Sequence, residues 1–275
     1  MFNAGINRFG SSAPVVTNLI WINALMLLAT YAIQSAFGTD LRWSLGLFYP
    51  ESSNFKIYQV ITHMFMHGDP MHLFFNMFAL WMFGRALENA WGSKRFLLYY
   101  MLTGLGAAAL HTFVNYLEFR DVREFVHMFF ESPSPALMKE FAQTYIGNPG
   151  LQTDILNYAS DWSKNLSDPE FKSVAVNSVY QIYDKMISVP TVGASGAVYG
   201  VLLGFGMLFP NTILMLIFPP IPIKAKYMVM IMGGIELYLS INQPGSNIAH
   251  FAHIGGMLFG FLIIRYWNSK RTNFY

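Results

Sequence analysis

The 275-residue sequence contains no cysteine, which excludes disulfides and thiolate metal centres and leaves the redox compartment undetermined. Charge is scarce as well. Asp, Glu, Lys and Arg make up 12% of the chain, against roughly 25% in an ordinary soluble domain. The formal net charge is only +2, and no basic cluster occurs beyond Lys94-Arg95 and Lys270-Arg271. Nucleic acid is therefore not expected as a partner. No H-E-x-x-H is present, so zinc proteolysis lacks its general base. No internal repeat is evident either, which weighs against an inverted-repeat transporter.

Apolar residues are in excess. Hydrophobic residues reach 54%, aromatics 17%, and mean hydropathy is +0.36. This favours one membrane-embedded body over two soluble domains. A polar start with Arg8 precedes an apolar run ending in Phe37-Gly38-Thr39-Asp40. A secretory signal has an apolar core of about 7–15 residues and a small-residue cleavage site. This run is longer and lacks the site, so a retained first span is expected. About 20 apolar residues cross the hydrocarbon core. Six stretches meet or approach that length, near 15–37, 70–91, 95–117, 194–209, 226–242 and 249–267. With the N-terminus inside, the inner segments carry Arg8, Lys94, Arg95, Lys224, Lys226, Arg265, Lys270 and Arg271. Basic residues in short loops mark the cytoplasmic side, so both termini are expected there.

Residues 119–190 break the pattern, mixing acids and bases with Pro133, Pro135, Pro149 and Pro169. Apolar residues recur there at helical spacing, so an extramembrane insertion of two to four amphipathic helices is expected. It ends five residues before Ser195. It is thus expected over the mouth of the site, gating or selecting substrates.

Three motifs carry polar groups at membrane depth, where they are costly and mark function by default. In Gly193-Ala194-Ser195-Gly196, a serine opens a span among small residues, with Tyr199 four positions on. A helix start offers unpaired N–H groups and a positive dipole end to an alkoxide or oxyanion; packing of small residues is the bland alternative. In the last span His253, Gly256 and Gly260 share one face. His250 lies one turn earlier, is expected nearer the outer surface, and is not needed for the reaction. Satisfied carbonyls or a metal pair are the alternatives for these histidines. In the second span His72 and Asn76 face the same way, after a helix start at Asp69-Pro70. Both can donate to an oxyanion or simply bond between helices. Together the three motifs supply nucleophile, base and oxyanion donors for acyl transfer. No carboxylate is expected beside His253, since Glu236 and Glu88 are the only acids in the expected spans; a dyad is the reading.

These motifs resemble those of the rhomboid family of intramembrane serine proteases, bacterial type, over roughly 15–118 and 190–270. The G-x-S-G pattern falls on Gly193 to Gly196, and A-H-x-x-G-x-x-x-G on Ala252 to Gly260. H-x-x-x-N falls on His72 to Asn76. The resemblance implies an all-α fold, a polytopic membrane protein with a six-transmembrane-helix bundle and an outer helical insertion. It implies Ser195 as nucleophile, His253 as base, and His72 and Asn76 on the oxyanion. Tyr199 would stack on His253, while Gly193, Gly256 and Gly260 would support the site. Glu88 would brace the first outer loop. Transmembrane proteins in a bacterial inner membrane would be the substrates, with no cofactor or metal. A non-catalytic, membrane-protein-binding relative is the alternative. Two departures stand out: Tyr58-Gln59 occupies the place of a Trp-Arg pair found in many rhomboids, and 119–190 is much longer than the usual loop.

Overall fold

The computed structural model describes residues 13–215, 220–242 and 249–269. The orienting charges Arg8, Lys270 and Arg271 lie outside the described residues. The chain forms two compact units: Met1–Leu47, Lys56–Phe113 and Pro190–Tyr275 make the first, Phe48–Phe55 and Val114–Val189 the second.

In the first unit, α1 (Pro14–Phe37) starts on proline, whose missing N–H is no loss in a first turn. It stops at Gly38, left-handed at φ 69°, whose N–H bonds the Gln34 carbonyl. The short α2 (Leu41–Leu45) is capped by Asp40. The α3 helix (Gln59–Thr62) runs into a single 3₁₀ turn, His63–Phe65. Asp69 then caps α4 (Pro70–Ala79), accepting from the Met71 and His72 N–H groups at 2.8 and 2.9 Å. Those donors hold its carboxyl below the usual carboxylate range. A π-helical turn, Leu80–Gly84, joins α4 to α5 (Arg85–Trp91), and α6 (Ser93–Glu118) follows. The Glu88 carboxylate does not brace the first outer loop, contrary to expectation. Buried at the foot of α5, it accepts from the Val15 and Val16 N–H groups at 3.0 and 2.9 Å and from Ser93 Oγ at 2.6 Å. The orphan donors of the α1 N-terminus provide an anion site nearer than that loop. Gln59, at the departing Tyr58-Gln59 position, is buried and ties the loop down: Oε1 accepts from Lys56 N–H and Nε2 donates to Ser44 O.

The second unit holds α7 (Arg120–Glu131), α8 (Pro135–Tyr145), α9 (Pro149–Lys164) and α10 (Pro169–Ile187). The last three each open with a polar cap followed by proline: Ser134-Pro135, Asn148-Pro149 and Asp168-Pro169. Their apolar faces bury Phe125, Phe129, Phe141, Ile155, Trp162 and Val179 in a core of their own. This unit starts at Val114, where 119 was expected, and it also takes in 48–55 from the loop after α1. Ser53 bonds Asp184 through N–H and Oγ, Tyr183 Oη donates to Glu51 Oε2 at 2.9 Å, and Ser52 Oγ meets Ser188 Oγ at 2.6 Å. Sequence separation above 130 residues hid those pairings.

Back in the first unit, α11 (Ser195–Leu208) leads to a short antiparallel pair, β1 (Ile213–Met215) and β2 (Pro222–Lys224), in register Leu214 to Ile223. The all-α expectation did not include this hairpin. Then come α12 (Ala225–Asn242) and α13 (His250–Ser269). Helices thus occupy each of the six apolar stretches. Among the described residues two helices, α1 and α6, are by length and composition able to cross a membrane. The core of this unit gathers Val16, Leu80, Leu87, Phe96, Tyr99, Val201 and Ile264.

Candidate active site

The turn before α11 is fixed from three sides. Thr191 and Leu47 exchange both backbone hydrogen bonds at 2.8 and 2.9 Å, and His111 Nε2 meets Thr191 Oγ1 at 3.0 Å. Gly193 N–H donates to the His63 carbonyl at 3.0 Å. Gly193 itself sits at φ 133°, a region costly to any residue with a side chain. A Cβ there would also lie 2.9 Å from His72 Cε1 and 3.5 Å from Ser195 Oγ. Gly193 therefore leaves open the space between the His72 ring and the serine. Ser195 begins the helix, where no side chain caps the first turn. Its N–H and the next are orphan donors at the positive end of α11.

His253 comes from α13. Its Nε2 lies 2.8 Å from Ser195 Oγ, a hydrogen bond between side chains 58 residues apart in sequence. The Tyr199 ring stacks on the imidazole, centroids 4.3 Å apart and planes 7° from parallel. Small residues make this possible. A Cβ on Gly256 would come 1.8 Å from the Gly196 carbonyl oxygen, and one on Gly260 2.5 Å from Tyr99 Oη, which donates to Gly200 O at 2.7 Å. We expect Gly256→Ala to drive α13 away from α11, costing about 1–3 kcal/mol as overpacking does and lengthening the Ser195–His253 contact. Thermal unfolding and Ser195 reactivity should fall together; a variant as stable and as reactive as the parent would remove Gly256 from this contact.

The oxyanion candidates lie on α4. His72 Nδ1 accepts from Gly68 N–H at 3.4 Å, which leaves the proton of the neutral ring on Nε2, the atom beside Gly193. The His67 ring packs edge-on against it at 5.1 Å. His67, fully buried, has its pKa pushed down to about 3 and stays neutral. Asn76 is buried and spends one amide hydrogen on the His72 carbonyl at 3.0 Å; the other is left to donate.

One expectation fails. A carboxylate does stand beside His253: Glu236 Oε1, from α12, is 3.0 Å from His253 Nδ1. Its Oε2 is 2.7 Å from His250 Nδ1, and Tyr199 Oη donates to Oε1. His250, expected near the surface, is 5% exposed and bound into this cluster. The apolar pattern of α12 gives its facing but not which residue of α13 it meets. An acid in the middle of an apolar helix was the available signal. Glu236, His250 and His253 also bring three possible metal ligands within 4.8 Å of one another. His250 Nδ1 hydrogen-bonds Glu236 Oε2 at 2.7 Å, so a cation would have to displace the proton between them, while His253 Nδ1 faces Oε1 at 3.0 Å without a hydrogen bond.

The family model for the Rhomboid domain matches residues 54–119 and 171–269, more than half of the chain, and passes over 120–170 inside the second unit. The chain is 31% identical over 87 residues to rhomboid protease GlpG of Salmonella paratyphi A and equally to that of Salmonella typhi, covering 31% of this chain and 31% of each relative. It is 28% identical over 94 residues to rhomboid-like protease 3 of Toxoplasma gondii, covering 32% of this chain and 36% of the relative. The matched stretch thus spans about a third of the length of these curated relatives.

Proposed function

We propose, from the premise that this chain belongs to the rhomboid family, that it is an intramembrane serine endopeptidase with Ser195 as nucleophile and His253 as general base. The 2.8 Å Ser195–His253 hydrogen bond, under a stacked Tyr199, is the observation that carries this reading. Six spans, α1, α4 continued by α5, α6, α11, α12 and α13, cross the inner membrane of a bacterium, with both termini cytoplasmic. Ser195 Oγ attacks a peptide carbonyl as its proton passes to His253 Nε2. The oxyanion is met by Asn76 Nδ2, His72 Nε2 and the Ser195 N–H. His253 then gives the proton to the leaving amine, and water repeats the cycle on the acyl-enzyme. Substrates are transmembrane segments that unwind near the outer face, because an intact helix hides its carbonyls in its own hydrogen-bond ladder. No cofactor enters these steps.

The experiment is reconstitution of the purified chain in liposomes with a tagged transmembrane substrate. The expected result is a Ser195-dependent cut near the outer end of the segment. Binding without a cut, unaltered by Ser195→Ala, would favour a non-catalytic membrane-protein-binding role.

The insertion serves as an accessory unit of the rhomboid domain that selects substrates. The chain leaves the second unit at Val189, six residues before the nucleophile, and that unit also holds 48–55 of the first loop. Replacing 122–186 by a Gly/Ser linker should alter the ranking of several substrates while Ser195 remains reactive. Unaltered ranking and rates would make the insertion a passenger, and lost reactivity would make it part of the scaffold of the catalytic turn.

A further inference from the structure

Burying a carboxylate on an apolar helix is costly unless partners satisfy it. Glu236 is 6% exposed and has three partners, each aimed at a particular oxygen. Oε2 takes the His250 ring nitrogen at 2.7 Å. Oε1 takes the Tyr199 hydroxyl and faces His253 Nδ1 at 3.0 Å. The bond to His250 prevents the carboxylate from rotating away from His253. The His253 ring is consequently bounded on three sides: Nε2 hydrogen-bonds Ser195 Oγ, one face stacks on Tyr199, and Nδ1 faces the Glu236 carboxylate at 3.0 Å, a charge contact that is not a hydrogen bond in this arrangement.

We infer that Glu236 is a positioning residue for His253, completing a Ser195–His253–Glu236 triad on three helices in place of a two-residue site. The inference rests on the protease reading above. With the carboxylate opposite Nδ1, the neutral ring carries its proton on Nδ1 and presents the Nε2 lone pair to Ser195. When the Ser195 Oγ–carbon bond forms, the hydroxyl proton moves to Nε2. The imidazolium keeps its Nδ1 proton, and Glu236 stays ionised opposite it. The Nε2 proton then leaves with the amine as the C–N bond breaks. Glu236 contributes orientation and charge and takes no proton. The other ionisable groups facing this cluster are His250 and Tyr199, which touch the carboxylate, and His72 and His111, which lie within electrostatic reach of His253.

The test uses the full-length chain in liposomes and follows the rate at which a fluorophosphonate modifies Ser195 as pH is varied. Glu236→Gln keeps the shape and removes the charge. Its labelling near neutrality should slow by about 10⁴-fold, the drop known for an isosteric amide in place of a triad carboxylate. Without the anion the imidazolium is less favoured, so the acid limb of the rate should move to lower pH. A purely structural role would reduce the folded fraction and leave the limb in place; that result, or labelling at the parent rate, would overturn the inference. Should Glu236→Gln fail to fold, Glu236→Asp keeps the charge but withdraws it by one methylene. It should label slowly with an unmoved limb, and parent-rate labelling again overturns the inference. Should neither fold, the parent chain decides: a low-field imidazole N–H proton resonance that disappears in His253→Ala is expected, and its absence contradicts the pairing. If the parent gives no Ser195 adduct at all, the protease reading itself fails, which separates the two claims.

Discussion

Ser195→Ala and His253→Ala should each reduce cleavage of a reconstituted transmembrane substrate by about 10⁴–10⁶-fold, and the double variant should be no slower than either. The reason is geometric. Oγ and Nε2 share one proton across 2.8 Å, so removing either partner removes the same step. Losses from groups that act as a unit do not add. Both positions lie in contacts that alanine leaves open, since Ser195 is a first-turn residue and Tyr199 still covers the vacated ring site. Folding should therefore survive, and circular dichroism with thermal unfolding checks that it does. Losses that multiply in the double variant would mean that the two residues act in separate steps.

The second large effect is expected at Asn76. Removing one oxyanion donor costs about 10²–10³ in kcat in other acyl-transfer sites. Asn76→Ala should show a drop of that order with little change in KM, because the amide meets charge that exists only after attack. The side chain is buried on α4, with one hydrogen on the His72 carbonyl. That bond belongs to the resting helix, and its loss should have a modest effect on stability. An unchanged kcat would reduce Asn76 to a packing residue. A raised KM with unchanged kcat would place it on substrate binding.

The helices were legible because each signal was local. Asp69-Pro70 pairs a capping oxygen with a residue that has no N–H to satisfy, and it marks the start of α4. The Ser195–Tyr199 and His253–Gly256–Gly260 spacings follow from one helical period. They put Ser195, Tyr199 and His253 on faces that the structure brings together. Contacts set by how one helix slides against another were not legible. Glu236 meets His250 and His253 through the offset of α12 against α13, to which hydropathy is blind. Glu88 was sent to the wrong end of the bundle, because its true partners, Val15 and Val16, are more than 70 residues away. Residues 48–55 read as loop because their anchors, Asp184 and Ser188, lie in a distant helix and its cap.

The central claim is that Ser195 is an activated nucleophile served by His253. Peptide mapping of the purified full-length chain after exposure to a fluorophosphonate tests it most directly. One adduct is expected, on Ser195, lost in His253→Ala. An adduct on another serine, or one on Ser195 that forms equally fast without His253, would contradict it.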